Sequence, residues 1–514
     1  MSFLSQRNRA QQPSFFLLLW VVCSLLLISY CHEAAALSTT TSTSTTPRSI
    51  CVIGGGASGM FAATAAAEAL STRYADSDVE WKVTVLEATS KILSKVKVSG
   101  GGRCNVLHDT SKPVKEILES YPRGRKELIG LFNKRFSPQT AEKWFTKRGV
   151  ELKTEADGRM FPVTDSSQTI IDTITQAAQK GGVVVNRVSK VLSVAPSLTD
   201  GSEVNKFLVM MRGEEAVEYD AIVLATGSSP AGHGLAVSLG HKIVNPVPSL
   251  FTLSTKDDIE EGGLFHGLSG LSVQDARITL QVAGTYVRVA CISLPYFLPW
   301  RRRFEDKSKL SYTMCSSSAF LYILVPGRKK KKSIIQNGPI LITHHGISGP
   351  ASLRLSAFAA REFHNINYRG NVAINWAPDF GSVEDIEVKL WGLTRSSPKR
   401  NISSSCPLLL PDNTSIIPRR LWSSLVSASG IESSKIWGEA SKKNVRKLAQ
   451  MICQCPINVT GKGVFKEEFV TAGGVSLKDI DMTNMGSKRC KGIFACGEVI
   501  DVDGVTGGFN FMGW

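Results

Sequence analysis

Apolar residues in this chain gather into short runs that close on glycine or an acid. Residues 49–53 (SICVI) form the first run, of the kind a strand buried on both faces makes. Glycines follow at 54, 56 and 59, and then an alanine-rich stretch over 60–70 with helical composition. A second run, residues 81–86 (WKVTVL), ends at Glu87. Two more strands are predicted far downstream, at 219–227 (ending AIVLATG) and at 492–501 (GIFACGEVID). The fold class that follows is α/β, with strands of one sheet drawn from both ends of the chain.

The spacing of the first glycines carries chemistry. A G-x-G-x-x-G between a strand and a helix, followed by a strand ending in an acid, is the pattern of a dinucleotide site. Gly54 permits the tight turn, Gly56 lets a pyrophosphate approach the backbone, and Gly59 allows helix and strand to pack closely. The N-terminus of the helix offers unpaired N–H groups to the diphosphate. Glu87 accepts from ribose hydroxyls, which favours FAD or NAD over NADP. The ATG turn at Thr226 and Gly227, and the strand end at Gly497, Glu498 and Asp501, favour FAD in a discontinuous domain.

Composition adds limits. The 514 residues allow two or three domains, and 43% hydrophobic with 20% charged residues is ordinary for a globular chain. The net charge is +16, but ten Lys and Arg against two acids between residues 291 and 335 account for half of it. No nucleic-acid partner is therefore expected; the partner is a small-molecule substrate. The 11 cysteines are scattered, Cys453 and Cys455 fit neither a CxxC motif nor a zinc knuckle, and no metal is expected. Arg7 and Arg9 precede an apolar run over 15–30 and then Ala34, Ala35 and Ala36, the layout of a signal peptide; an uncleaved anchor is the rival reading. Residues 37–48 are rich in Ser and Thr and lack acids, as transit peptides do. Entry into the secretory pathway and delivery to a plastid are expected, with the endomembrane lumen or secretion as the alternative. Sequons at Asn401, Asn413 and Asn458 are usable only on a lumenal route.

Further blocks run in order along the chain: VIGGGASGM at 52–60, SKVKVSGGGRCNV at 94–106, GRMFPVTDSS at 158–167, THHGISGPASLRLS at 343–356, FVTAGGVSL at 469–477 and GEVIDVDGVTGGFN at 497–510. In these the chain resembles the BaiN-like NAD(P)/FAD-dependent oxidoreductases, also called aminoacetone-oxidase-like flavoproteins. The resemblance implies a discontinuous Rossmann-like FAD-binding domain at 49–245 and 462–514, with a β-rich and helical domain inserted at 246–461. It also implies an FAD-dependent oxidoreductase, with NAD(P)H as a candidate co-substrate. The expected cofactor contacts are Gly54, Gly56, Ala57, Ser58, Gly59, Glu87, Val188, Thr226, Gly227, Gly497, Glu498 and Asp501. The SGGGRCN block adds Gly101, Gly102, Arg103, Cys104 and Asn105, and the last block adds Gly507, Gly508 and Asn510. Arg103 is a cation for the diphosphate or for the edge of a reduced flavin. Candidate catalytic groups are His344 and His345, able to move protons near neutral pH, and Cys104 as a thiol.

Two departures from the family pattern stand out. Residues 291–336 match nothing in it and read as a retained intron or a basic loop. The chain also stops at FNFMGW, where the family continues into a helix; that helix is expected to be absent, which would weaken FAD retention. The alternative function is accordingly a non-catalytic or defective product with an incomplete FAD site.

Overall fold

The computed structural model describes residues 48–75, 79–197, 206–283, 287–293, 312–313, 320–326, 331–463 and 470–513. The expected leader and most of the transit-like stretch, residues 1–47, lie outside them. The chain divides into two compact units, one from Met1–Leu250 with Lys466–Trp514, the other from Phe251–Phe465. The sequence pattern puts these junctions at 245/246 and 461/462.

The first unit is built on a parallel sheet of β1 (Arg48–Ile53), β2 (Trp81–Leu86), β3 (Val184–Asn186), β4 (Ala221–Leu224) and β5 (Ile493–Ala495). Their spatial order is β5-β4-β1-β2-β3. Ile480–Asp481 and Gly486–Ser487 extend the β5 edge antiparallel. The central strands read as continuous apolar runs because both faces are covered: Ile50 to Ile53 and all four residues of β4 are buried. Helix α1 (Ala57–Arg73) follows β1 and buries Gly59, Met60, Ala63, Ala66 and Ala67. It starts three residues before the alanine-rich stretch because Gly56, in extended conformation, is its cap. The strand predicted at 219–227 is shorter, since Thr226 and Gly227 already belong to the turn. The α/β class and the Rossmann-like sheet expected from the sequence are borne out.

The second unit holds a seven-stranded antiparallel sheet centred on Ser272–Ala283 and Lys331–Thr343. Beside it lie α2 (Val383–Ser396), α3 (Arg419–Ala428) and α4 (Lys442–Cys453). Helix α4 buries Val445, Leu448, Ala449 and Ile452, one face of a 3.6-residue repeat. Fully buried Trp376, Trp422 and Trp437 fill the core between these elements. The unmatched segment does not stand wholly outside the fold, as a loop reading requires. Ile334 and Ile335 pair with Leu280 and Thr279, within a strand that runs from Lys331 to Thr343. Val287–Ser293 also pairs with Phe320–Pro326. Residues 294–311, 314–319 and 327–330 lie outside the described residues.

Candidate functional site

The glycine turn shows why each position is glycine. Gly54 has φ +113°, and a Cβ there would lie 2.3 Å from the Ala225 carbonyl oxygen. A Cβ on Gly59 would lie 1.9 Å from the Gly54 oxygen, so α1 is seated directly on the turn. Gly56 differs: a Cβ there would meet nothing within 4 Å. Helix α1 above it has no capping side chain and no acid in its first turn, which Ala57, Ser58 and Gly59 form. Its orphan N–H groups and positive dipole end are thus left for an anion.

Glu87 closes β2 beside this turn. Its Oε2 accepts from the Gly55 N–H (2.7 Å), and its Oε1 accepts from the Thr89 N–H and hydroxyl (2.8 Å each). A carboxylate has about four acceptor sites, which leaves one on Oε2 for a sugar hydroxyl. Val188 lies next to it in the network, its N–H bonded to the Thr89 carbonyl (3.1 Å) while Ser189 N–H bonds that of Glu87 (2.9 Å). Val188 is 69% exposed at φ +61°, a strained conformation for a β-branched residue.

A second group forms around Glu498, which is 3% exposed. Its Oε2 pairs with Lys95 Nζ at 2.7 Å, and its Oε1 accepts from the Thr471 N–H at 2.8 Å. A Cβ on Gly227 would sit 3.7 Å from Glu498 Oε2, and one on Gly497 2.2 Å from Ser58 Oγ. The structure therefore brings Ser58, Gly227, Gly497 and Glu498 together, and adds Lys95, which the sequence reading missed. Thr226 Oγ1, Thr506 Oγ1 and His233 Nε2 are buried without a hydrogen-bond partner. Each such orphan costs about 1–3 kcal/mol unless a polar ligand completes it. Burial holds the His233 imidazole below its ordinary pKa, which favours the neutral ring. An open glycine cradle, an uncapped helix start and orphaned polar atoms all fit FAD.

Other predicted contacts are engaged elsewhere. Gly101 and Gly102 (φ +70° and +86°) leave open backbone, with nothing within 4 Å of a Cβ on Gly101. The Arg103 guanidinium, however, bonds Asp165 Oδ1 (2.8 Å) and Glu155 Oε1 (2.6 Å) and lies 4.0 Å from the centre of the Phe161 ring. It is committed to two carboxylates and ties the glycine loop down. Cys104 is fully buried, and desolvation pushes its thiol up to about 11, so it is no thiolate nucleophile at neutral pH. Oriented to satisfy both neighbours, the Asn105 amide donates to the Leu107 carbonyl (2.8 Å) and accepts from the Gly508 N–H (3.3 Å). His344 and His345 form the exposed two-residue turn between Lys331–Thr343 and Gly346–Ser348, in the second unit. The Thr343 hydroxyl accepts from the His345 backbone N–H (3.3 Å).

The C-terminal expectation needs correction. Gly507–Gly513 is helical. A seven-residue helix is marginal alone, and tertiary contacts hold this one. Asn510 Oδ1 accepts from the Gly504 N–H (2.7 Å), and its amide donates to the Gly504 and Thr506 carbonyls (3.1 and 3.0 Å). The buried Tyr121 hydroxyl donates to the Phe509 carbonyl (2.6 Å), and the His108 ring stacks on Phe509 at 4.2 Å. Asp501 is buried and its N–H bonds the Val475 carbonyl (3.0 Å). Asp503 is fully buried, paired with Arg123 through both carboxylate oxygens, and accepts from the Ser249 hydroxyl (3.1 Å). Asp503 is thus a structural anchor for the last block. A cavity of about 240 Å³ lined by Phe61, Phe132, Phe136, Trp144, Phe511 and Met512 runs along α1; its walls are too apolar for a diphosphate.

Sheet order, glycine turn and terminal acid define a dinucleotide-binding protein of the FAD-binding Rossmann class. The chain belongs to the family described as HI0933-like protein Rossmann domain, which it matches over residues 48–514. That membership bears out the resemblance read from the sequence motifs and places the chain among flavin-dependent oxidoreductases. It is 24% identical over 441 residues to a ribosomal RNA dihydrouridine synthase of Haemophilus influenzae, covering 84% of this chain and 89% of the relative. It is 22% identical over 466 residues to a 3-dehydro-bile acid delta(4,6)-reductase of Clostridium scindens, covering 89% and 93%. Among solved structures it is similar to the 3-ketosteroid-delta4-(5alpha)-dehydrogenase of Rhodococcus jostii RHA1, at 14% identity, TM-score 0.39, and 93% and 97% coverage.

Proposed function

We propose that the chain is an FAD-dependent reductase that saturates a carbon–carbon double bond conjugated to a carbonyl in a small organic substrate, with NAD(P)H as electron donor. FAD, when bound, would supply the hydride chemistry that links a nicotinamide donor to the substrate carbon β to the carbonyl. A proton from solvent completes the α carbon. The chain's own part is to hold the cofactor. The α1 N-terminus seats the diphosphate, Glu87 takes a ribose hydroxyl, and Lys95 fixes Glu498 beside Gly227.

The observation that carries the FAD reading is the empty space at Gly56 beneath an uncapped helix. The bond reduced is supported by the names of the two relatives, whose products both arise by saturating such a bond. A second reading, favoured by the first of those relatives, takes uracil within RNA as the substrate. The test is anaerobic. NADPH or NADH bleaches the bound flavin; conjugated enones or uridine-containing rRNA then restore the colour, and their saturated counterparts do not. Reduced protein indifferent to every conjugated acceptor refutes the reading. Plastid delivery through the secretory pathway is part of the same proposal; a fluorescent fusion of residues 1–60 that stays cytosolic refutes it.

A further inference from the structure

The helical part of the second unit carries a charge imbalance that its own stability does not call for. Between residues 395 and 447, ten Lys and Arg stand against three acids, Asp412, Glu432 and Glu439. Helix α3 opens with Arg419 and Arg420, helix α4 with Lys442 and Lys443, and neither has an acid in its first turn. Cations there oppose the helix dipole. Helix α2, in the same unit, has the opposite and favourable arrangement, with Glu384, Asp385 and a complete capping box.

Part of this charge gathers at one end of the α2–α4 pair. Arg446 of α4 reaches Glu387 of α2 at 3.4 Å, and the end of α4 (Gln450, Cys453) shares a cleft with the start of α2 (Ser382, Val383). The two helices therefore run antiparallel, and the end of α2 at Arg395 lies beside the start of α4. Lys399 and Arg400 follow directly. The Arg400 carbonyl accepts from the Trp437 N–H (3.0 Å), in the turn that leads into α4. Arg395, Lys399, Arg400, Lys442, Lys443 and Lys447 are all exposed, and none makes an ion pair among the described residues.

We infer that this basic end of the α2–α4 bundle docks the phosphate backbone of RNA; the inference rests on the second reading above, in which the reduced base lies in RNA. Arg forks and Lys point charges both suit phosphates, and such contacts position a nucleic acid without reading its bases. An acidic membrane fits less well. A helix lying on lipid needs an exposed apolar face, and between 395 and 447 the exposed large apolar side chain is Leu409 alone among the described residues. The expectation of no nucleic-acid partner rested on assigning the charge excess to residues 291–335; the other half of that excess is concentrated here.

The test uses the full chain with FAD bound and a fluorescent uridine-containing rRNA hairpin, with anisotropy read at about 50 and 200 mM salt. The parent is expected to bind with strong salt dependence. The triple variant Lys442→Glu, Lys443→Glu, Lys447→Glu is expected to bind at least roughly tenfold more weakly, with a log–log salt slope smaller by about 2–3. Its flavin content and bleaching by NAD(P)H stay at the parent level. A parent that ignores RNA, a variant that binds like the parent, or a loss seen only on phosphatidylserine vesicles overturns the inference. Dihydrouridine formation separates the two claims. Lysine-dependent binding without any uridine reduction leaves the surface standing and the reading fallen; equal uridine reduction by parent and variant does the reverse.

Discussion

Gly56 and Gly59 lie three residues apart in one motif, yet alanine should fail at them for different reasons. At Gly59 a methyl would sit 1.9 Å from the Gly54 oxygen, where ordinary contact begins near 3.4 Å. Helix and turn must part by about 1.5 Å, and overpacking of that kind costs about 1–3 kcal/mol of folding stability. At Gly56 the backbone is extended (φ −75°, ψ −173°) and no atom lies within 4 Å of the new methyl. Alanine in place of glycine at a helix cap costs about 0.5–1 kcal/mol, and the stiffer unfolded chain returns about 0.4–1 kcal/mol. Gly56→Ala apoprotein should therefore unfold at the parent's denaturant midpoint. Its methyl occupies the diphosphate's place, and the same 1–3 kcal/mol falls on binding, about 5- to 150-fold in FAD affinity. Urea unfolding of the apoprotein and fluorescence titration with FAD read both quantities. A Gly56→Ala chain that binds FAD like the parent, or loses as much apo stability as Gly59→Ala, refutes the reasoning.

Removing Asp503 strands a buried guanidinium, so Asp503→Ala should cost about 3–5 kcal/mol in urea unfolding, and Arg123→Met with Asp503→Leu should recover most of it. A single variant within about 1 kcal/mol of the parent contradicts the anchor role. Burial lowers the pKa of His108, His233 and His241 below the ordinary 6.5. Their contribution to stability is complete above that value and is lost as pH falls through the folded-state values. Unfolding midpoints should drop between about pH 7 and 5, less steeply in His233→Gln with His241→Gln; an unchanged slope counts against it. Cys104, buried with its thiol near 11, should resist iodoacetamide in the folded protein at mildly alkaline pH and react only on unfolding, as mass spectrometry would show.

Local chemistry made the first site legible in the sequence. Gly54, Gly56, Gly59 and Glu87 act through backbone conformation and a strand end, which short spacing encodes, and the apolar runs of β1, β2 and β4 follow from burial on two faces. Partners set by long loops left no trace. Lys95 meets Glu498 across 403 residues and Arg123 meets Asp503 across 380, and neither lysine nor arginine advertises such a contact. Arg103 had the chemistry of an anion ligand, but Glu155 and Asp165, brought near by a separate small sheet, took it first. The closing helix leaves no signal in the sequence because seven residues have little helical propensity of their own, and Tyr121, His108 and Asn510 supply what propensity lacks.

One FAD per chain is expected on the glycine turn of the first unit. Acid release of cofactor from the purified full chain, identified by chromatography and divided by protein concentration, measures it directly. Close to one FAD per chain, restored by adding FAD to the stripped protein, is expected; a colourless protein that takes up no added FAD rules the seat out.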